Sequence, residues 1–166
     1  MKKFLIILSV IFIVSLGCKK ENIGGGGLCA CSFAPEPVLG LVIKNSAGLD
    51  LLNTKTAGYF DKSKIQLYVK DANNAVTAIR FDIREPFNYG SMQKMEYYQL
   101  SSYEIAIKAK SIENTFYLKL GDKVYELNLK TNNKAVEKLL IDKTDAPREL
   151  ADNKEQYLNS IYTLKI

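Results

Sequence analysis

Three cysteines, eighteen carboxylates and ten tyrosines are the side chains through which this sequence could do chemistry, and it contains no histidine. That absence removes the Ser-His-Asp and Cys-His nucleophile pairs and every histidine-bearing zinc motif. The phosphate-cradling glycine motifs are missing as well: Gly24 to Gly27 lack the following lysine and the strand-turn-helix setting, and read as linker. Carboxylates remain, since a glycosidase needs only two of them placed across a sugar bond. Asp82 and Glu85 lie beside Pro86-Phe87-Asn88-Tyr89-Gly90, with Glu96 close in sequence; the plainer reading makes them solvent-facing loop and strand residues. Asp71-Ala72-Asn73 has the opening spacing of a calcium loop without its glycine or distal glutamate, and reads as a turn. No catalytic residue, metal site or cofactor is therefore assigned. Tyr89, Tyr97, Tyr98 and Tyr103, with Phe87 nearby, form the densest aromatic group. They are a candidate binding face for a glycan or protein, because tyrosine offers area and a polar tip at low entropy cost. Strand packing is the competing explanation.

The cysteines divide by context. Cys29-Ala30-Cys31 supplies two thiolates with no third cysteine in the chain beyond it, so a closed zinc site is out of reach. The spacing is not CxxC, which removes the thioredoxin-like reading. A strained local disulfide or free thiols remain, with a bond to another chain as a further alternative.

Cys18 follows a targeting segment. Met1-Lys2-Lys3 is a positive n-region, and Phe4 to Leu16 is apolar except for Ser9 and Ser15. The run is shorter than the roughly 20 residues a membrane helix needs, and suits a secretory h-region. Leu16-Gly17-Cys18 resembles the lipobox of bacterial lipoprotein precursors, although Ser15 stands where that family usually has leucine. The resemblance implies that the Cys18 thiol receives a diacylglycerol, that the chain is cut just before it, and that the new amino terminus is acylated, palmitate being the type of chain. Each buried methylene contributes about 0.8 kcal/mol, so several chains make a lasting anchor. Lys19-Lys20-Glu21 is similar to the short charged tags with which some Gram-negative groups send lipoproteins to the cell surface. The expected location is the outer membrane, with the membrane itself as a partner. Loss of Lys2 and Lys3 lowers the net charge from +5 to about +3. The basic residues are scattered, which argues against nucleic acid.

The elements that must position these groups begin after a tether. Residues 19–37 offer little for a core, and as a flexible coil would span about 24 Å. From Val38 onward the apolar period is two. Ile65, Leu67 and Val69 mark one strand, Asp71 to Asn74 a turn, and Ala75 to Ile83 the returning strand. Tyr103, Ile105, Ile107 and Ala109 alternate with Glu104, Lys108 and Lys110, predicting another strand. Phe116, Leu118 and Leu120 predict a strand that turns at Gly121-Asp122 and returns through Tyr125, Leu127 and Leu129. Val38 to Lys44 reads as a central strand, Lys94 to Leu100 as an imperfect one, and Ser160 to Ile166 as the last. Residues 135–141 and 148–157 are the candidates for helix.

The fold class expected is all-β, a small antiparallel β-sandwich after a signal peptide and flexible tether. The division is 1–17 signal peptide, 18–37 lipidated cysteine and linker, and 38–166 β-sandwich domain. The stretch from Val38 to Leu52, with a glycine-containing apolar strand, a polar turn ending in Gly48 and a short apolar return, resembles the opening of transthyretin-like or carboxypeptidase-regulatory-like sandwiches, and fits immunoglobulin-like ones too. The expectation is a lipid-anchored envelope protein with a noncatalytic binding or structural module. The alternatives are a carboxylate-dependent enzyme acting on envelope polysaccharide, and a subunit of a surface assembly.

Overall fold

The computed structural model describes residues 37–89, 93–132, 134–150 and 161–166. The signal peptide, Cys18, the linker up to residue 36, Cys29 and Cys31 lie outside the described residues. In chain order the elements are β1 (Leu39–Lys44), β2 (Ile65–Lys70), β3 (Val76–Ala78), β4 (Asp82–Arg84), β5 (Phe87–Tyr89), β6 (Gln93–Met95), β7 (Gln99–Ser102), α1 (Tyr103–Lys108), β8 (Thr115–Leu120), β9 (Lys123–Thr131), β10 (Val136–Ile141), β11 (Thr144–Asp145) and β12 (Ile161–Lys165).

The strands form a four-stranded sheet in the order β12-β1-β7-β4, a six-stranded sheet in the order β11-β10-β9-β8-β2-β3, and the separate hairpin β5-β6. The two larger sheets share one core. Leu39, Leu41 and Ile43 of β1 meet Leu67, Phe116, Leu118, Leu127 and Leu129 of the six-stranded sheet, giving the all-β sandwich the alternation predicts. β1 is covered on both sides of its sheet, which is why its residues are apolar on both faces: Val42, opposite in phase to Leu41 and Ile43, packs with Met95 and Ile161 in a second small cluster on the outer side, with Phe87 and Tyr97 against it. β1 and β12 run parallel, with Gly40 opposite Ile161 and Lys44 opposite Lys165, whereas the other strand ladders among the described residues are antiparallel.

Local chemistry explains the turns. Asp71 Oδ1 accepts the Asn73 and Ala75 amides at 2.8 and 2.9 Å, and Asn74 takes a φ of 62°. The carboxylate of the calcium-like spacing is thereby engaged in closing the β2-β3 hairpin. Leu120 pairs with Lys123, leaving Gly121 and Asp122 as a two-residue loop in which Gly121 supplies a φ of 58°.

Several segments depart from the sequence expectation, among them Lys94 to Leu100, which divides into β6 and β7 around a bend at Tyr97. Tyr103 to Ala109 is helical rather than a strand, α1 being a short helix with Ile105 and Ala106 buried. Its composition fits both periods. The Ser102 hydroxyl decides between them by accepting the Ile105 amide as N-cap, while Glu104 and Lys108 face each other one turn apart at 3.7 Å. The return strand from Ala75 to Ile83 is split. β3 belongs to the six-stranded sheet and β4 to the other, and the chain crosses between them at Ile79 to Phe81, with Ile79 buried in the core. Arg80 is held at this corner by two groups around the start of α1: its amide donates to Glu104 Oε2 at 2.9 Å and its carbonyl accepts from the Ser102 hydroxyl at 2.7 Å. That amide hydrogen bond is the main reason the Glu104 carboxyl sits below its ordinary value. Residues 135–141, a candidate helix, form β10. A register shift between Val136 and Lys138 spaces the buried Val136, Leu139 and Ile141 three and then two apart, so the bulge imitates the start of a helical stripe. Of the other candidate helix, Arg148 bridges to Tyr162 as extended chain, and residues 151–157 lie outside the described residues.

Ser102→Ala should lower stability by about 1 kcal/mol for the lost cap, with more from the orphaned Arg80 carbonyl. A fall in the urea midpoint at unchanged m-value is the measurement that checks it.

Candidate binding face

The solvent side of the six-stranded sheet carries an aromatic pair. On β2 the core phase is Ile65, Leu67 and Val69, which sends Gln66, Tyr68 and Lys70 outward; on β8 the core phase is Phe116, Leu118 and Leu120, which sends Thr115, Tyr117 and Lys119 outward. Registration then sets these residues side by side, Gln66 opposite Lys119 and Tyr68 opposite Tyr117. The tyrosine rings stack with centroids 5.3 Å apart and planes 17° from parallel, and Lys70 Nζ lies 4.8 Å from the Tyr117 centroid. Neither ring packs on the two core clusters. On the β3 side the residue opposite Tyr68 is Ala78, whose methyl group is too short to cover a ring.

The row runs into a groove of about 420 Å³ formed by Ser63, Lys64, Gln66, Lys119, Gly121 and Asp122. On the other side of the Gly121-Asp122 turn lies a more apolar hollow of about 580 Å³ with Tyr59, Phe60, Leu120 and Ile166 in its wall. A third concavity, about 620 Å³, lies at the opposite pole between Pro37, α1 and Thr131.

The aromatic group singled out in the sequence is dispersed. Phe87 and Tyr97 pack against Val42, Met95 and Ile161 on the outer side of the four-stranded sheet. Tyr98 is half-buried against the main core, and Tyr103 is exposed on α1 beside the third concavity. Tyr89 pairs through its backbone with Gln93 in the β5-β6 hairpin. The carboxylates considered for catalysis are exposed, Asp82 pairing with Lys62 at 3.0 Å and Glu96 with Lys94 at 2.9 Å. Among the described residues no three Cys, Asp or Glu side chains gather closely enough to hold a metal ion.

Two acidic groups are instead built into the outer side of the four-stranded sheet. Asp50 is buried after the β1 turn, its Oδ1 accepting the Leu52 amide at 2.8 Å and its Oδ2 the Tyr98 amide at 2.7 Å. Burial pushes its carboxyl above the ordinary value despite these bonds. Glu149 binds Lys44 Nζ at 2.8 Å and accepts the Thr163 hydroxyl, while the same ammonium lies 3.6 Å from the centre of the Tyr97 ring. Glu149 also donates its amide to Ile161, and Pro147 accepts from Thr163, so a strap runs along β12.

The stacked pair Tyr68 and Tyr117 was missed by sequence reasoning, which named neither residue as a binding candidate. The usable signal is an aromatic ring in the solvent phase of two neighbouring strands at once.

The class these features define is an all-β domain of two packed sheets with an open aromatic face. Compared with family models, curated proteins and solved structures, the chain matches none.

Proposed function

We propose that this chain is a lipid-anchored protein of the cell envelope whose all-β domain is a noncatalytic binding module, held at the outer membrane and directed outward. The observation that carries the binding reading is the Tyr68-Tyr117 stack standing on a sheet face that neither core cluster uses. The anchor reading rests on the apolar run ending in Leu16-Gly17-Cys18 and the glycine-rich tether behind it. Less supports a carboxylate enzyme, since Asp82 and Glu96 are exposed and each faces a lysine. The assembly reading draws on one feature, the β3 edge of the six-stranded sheet with exposed Val76.

Growth with a clickable fatty acid tests the anchor. Wild type should carry the label and sediment with membranes, and Cys18→Ala should lose both properties. Equal labelling of the two forms would remove the lipid anchor.

A further inference from the structure

We infer that the row formed by Lys119 and Gln66, the Tyr68-Tyr117 stack and Lys70 is a binding track for an acidic polysaccharide. The inference deepens the binding-module reading and rests on it. Three observations combine. First, the outward residues follow one another along two paired strands: Gln66 with Lys119, then Tyr68 with Tyr117, then Lys70. From Gln66 to Lys70 the track is about 14 Å long at roughly 3.4 Å per residue, and the groove beside Lys64 extends it past the start of β2, which suits an extended chain. Second, its composition alternates. A sugar ring presents a C–H face that packs on an aromatic surface, because an aromatic π face is negative and C–H groups are weakly positive; with the two rings stacked on each other, that surface is the Tyr68 face turned away from Tyr117, over Ala78. Its hydroxyls need polar partners, which Gln66 and Ser63 offer at the groove end.

Third, the charged residues of the row itself are cations. Lys64, Lys70 and Lys119 make no ion pair among the described residues, whereas Lys130 and Lys138 on β9 and β10 are paired with Glu137 and Asp145. The nearest acidic side chains are Glu126, opposite Tyr117, Asp122 in the turn, and Asp61, whose carboxyl acts on Lys64. Cations on both sides of an aromatic pair complement a polymer that carries carboxylates at intervals along apolar rings. An acidic peptide would need pockets for alternate side chains or a strand edge, and at the Tyr68-Tyr117 stack both strands are paired on both sides.

The test uses the full chain in a detergent without a sugar headgroup, migrating in native gels cast with polygalacturonate, hyaluronate or alginate, and with dextran as the neutral polymer. Retardation by at least one acidic polymer is expected, absent with dextran and weakened by added salt. Tyr68→Ala and Tyr117→Ala should each weaken binding about tenfold, and Lys119→Gln with Lys70→Gln should reduce the salt dependence, Lys64 being left in place. Far-ultraviolet circular dichroism of each variant establishes that it is folded, and Tyr68→Phe, which keeps the ring, should bind as wild type. Poly-glutamate is the control for charge alone; binding as tight as that of the polysaccharides overturns the glycan assignment. Retardation by dextran through the same tyrosines overturns the acidic preference and leaves the binding module standing. Failure of all four polymers, or binding indifferent to both tyrosine substitutions, overturns the track.

Discussion

Asp50→Ala is expected to lower the melting temperature by ten degrees or so, the largest single effect in the domain. The side chain is 7% exposed and holds two amides from different parts of the chain, Leu52 just after the β1 turn and Tyr98 just before β7. Truncation leaves the buried Leu52 amide and the half-buried Tyr98 amide without their acceptor. Each costs about 1 to 3 kcal/mol, so about 4 kcal/mol is lost, a large share of the stability of a domain this size. Asp50→Asn should cost less, since an amide oxygen can still accept one of the two hydrogens while its NH₂ opposes the other. The pH behaviour separates the variants further. The folded carboxyl is raised above the ordinary 3.8 because burial penalises its charge. The folded state therefore holds this proton more tightly than the unfolded chain. Its contribution is complete below 3.8 and is lost as pH rises through the raised value. Thermal melts of wild type should show that decline, and Asp50→Asn should be flat by comparison over the same interval.

Glu149→Gln should come next, at about 3 kcal/mol. The Lys44 and Glu149 side chains are only 14% and 13% exposed, so the ammonium left behind keeps little water to replace its partner. Breaking a buried pair from one side costs about 3 to 5 kcal/mol, and residual exposure places this one at the low end. The double variant Lys44→Met with Glu149→Leu should recover most of the loss, because both desolvation penalties then vanish together. Chemical denaturation of the single and double variants measures this directly. Hydrogen exchange in Glu149→Gln should be faster at Thr163, whose amide is bound by the Pro147 carbonyl in the strap.

Much of the sandwich was legible where one face of a strand is buried and the other wet. The alternation through Ile65, Leu67 and Val69, and through Phe116, Leu118 and Leu120, names the strands and the core face together. β1 was legible as a central strand because Val42 is apolar in the phase opposite Leu41 and Ile43. Legibility failed where two periods coincide. Tyr103 to Ala109 alternates as a strand would, and only the Ser102 cap and the burial of Ala106 beside Ile105 reveal the helix. In β10 the bulge at residues 136–138 disguised a strand as a helix. The β1-β12 parallel pairing joins residues far apart in the sequence, and alternation carries no information about partners. For the binding face the obstacle was different. Closeness in sequence suggested that Tyr97 and Tyr98 act together, whereas the chain bends between β6 and β7 and sets one of them against each cluster. Tyr68 and Tyr117 are nearly fifty residues apart and became neighbours only through registration.

The parallel pairing of β1 with β12 also has a mechanical meaning. Any pull arriving through the residues that precede β1 acts along that strand, toward its start at Leu39. The five register pairs from Gly40-Ile161 to Lys44-Lys165 lie across that line of force, and the antiparallel pairs with β7 do so on the other side. Hydrogen bonds set perpendicular to a load must slip together, whereas bonds loaded from one end open one by one. A domain loaded through its first strand thus resists in shear, the stiffer of the two directions a sheet offers.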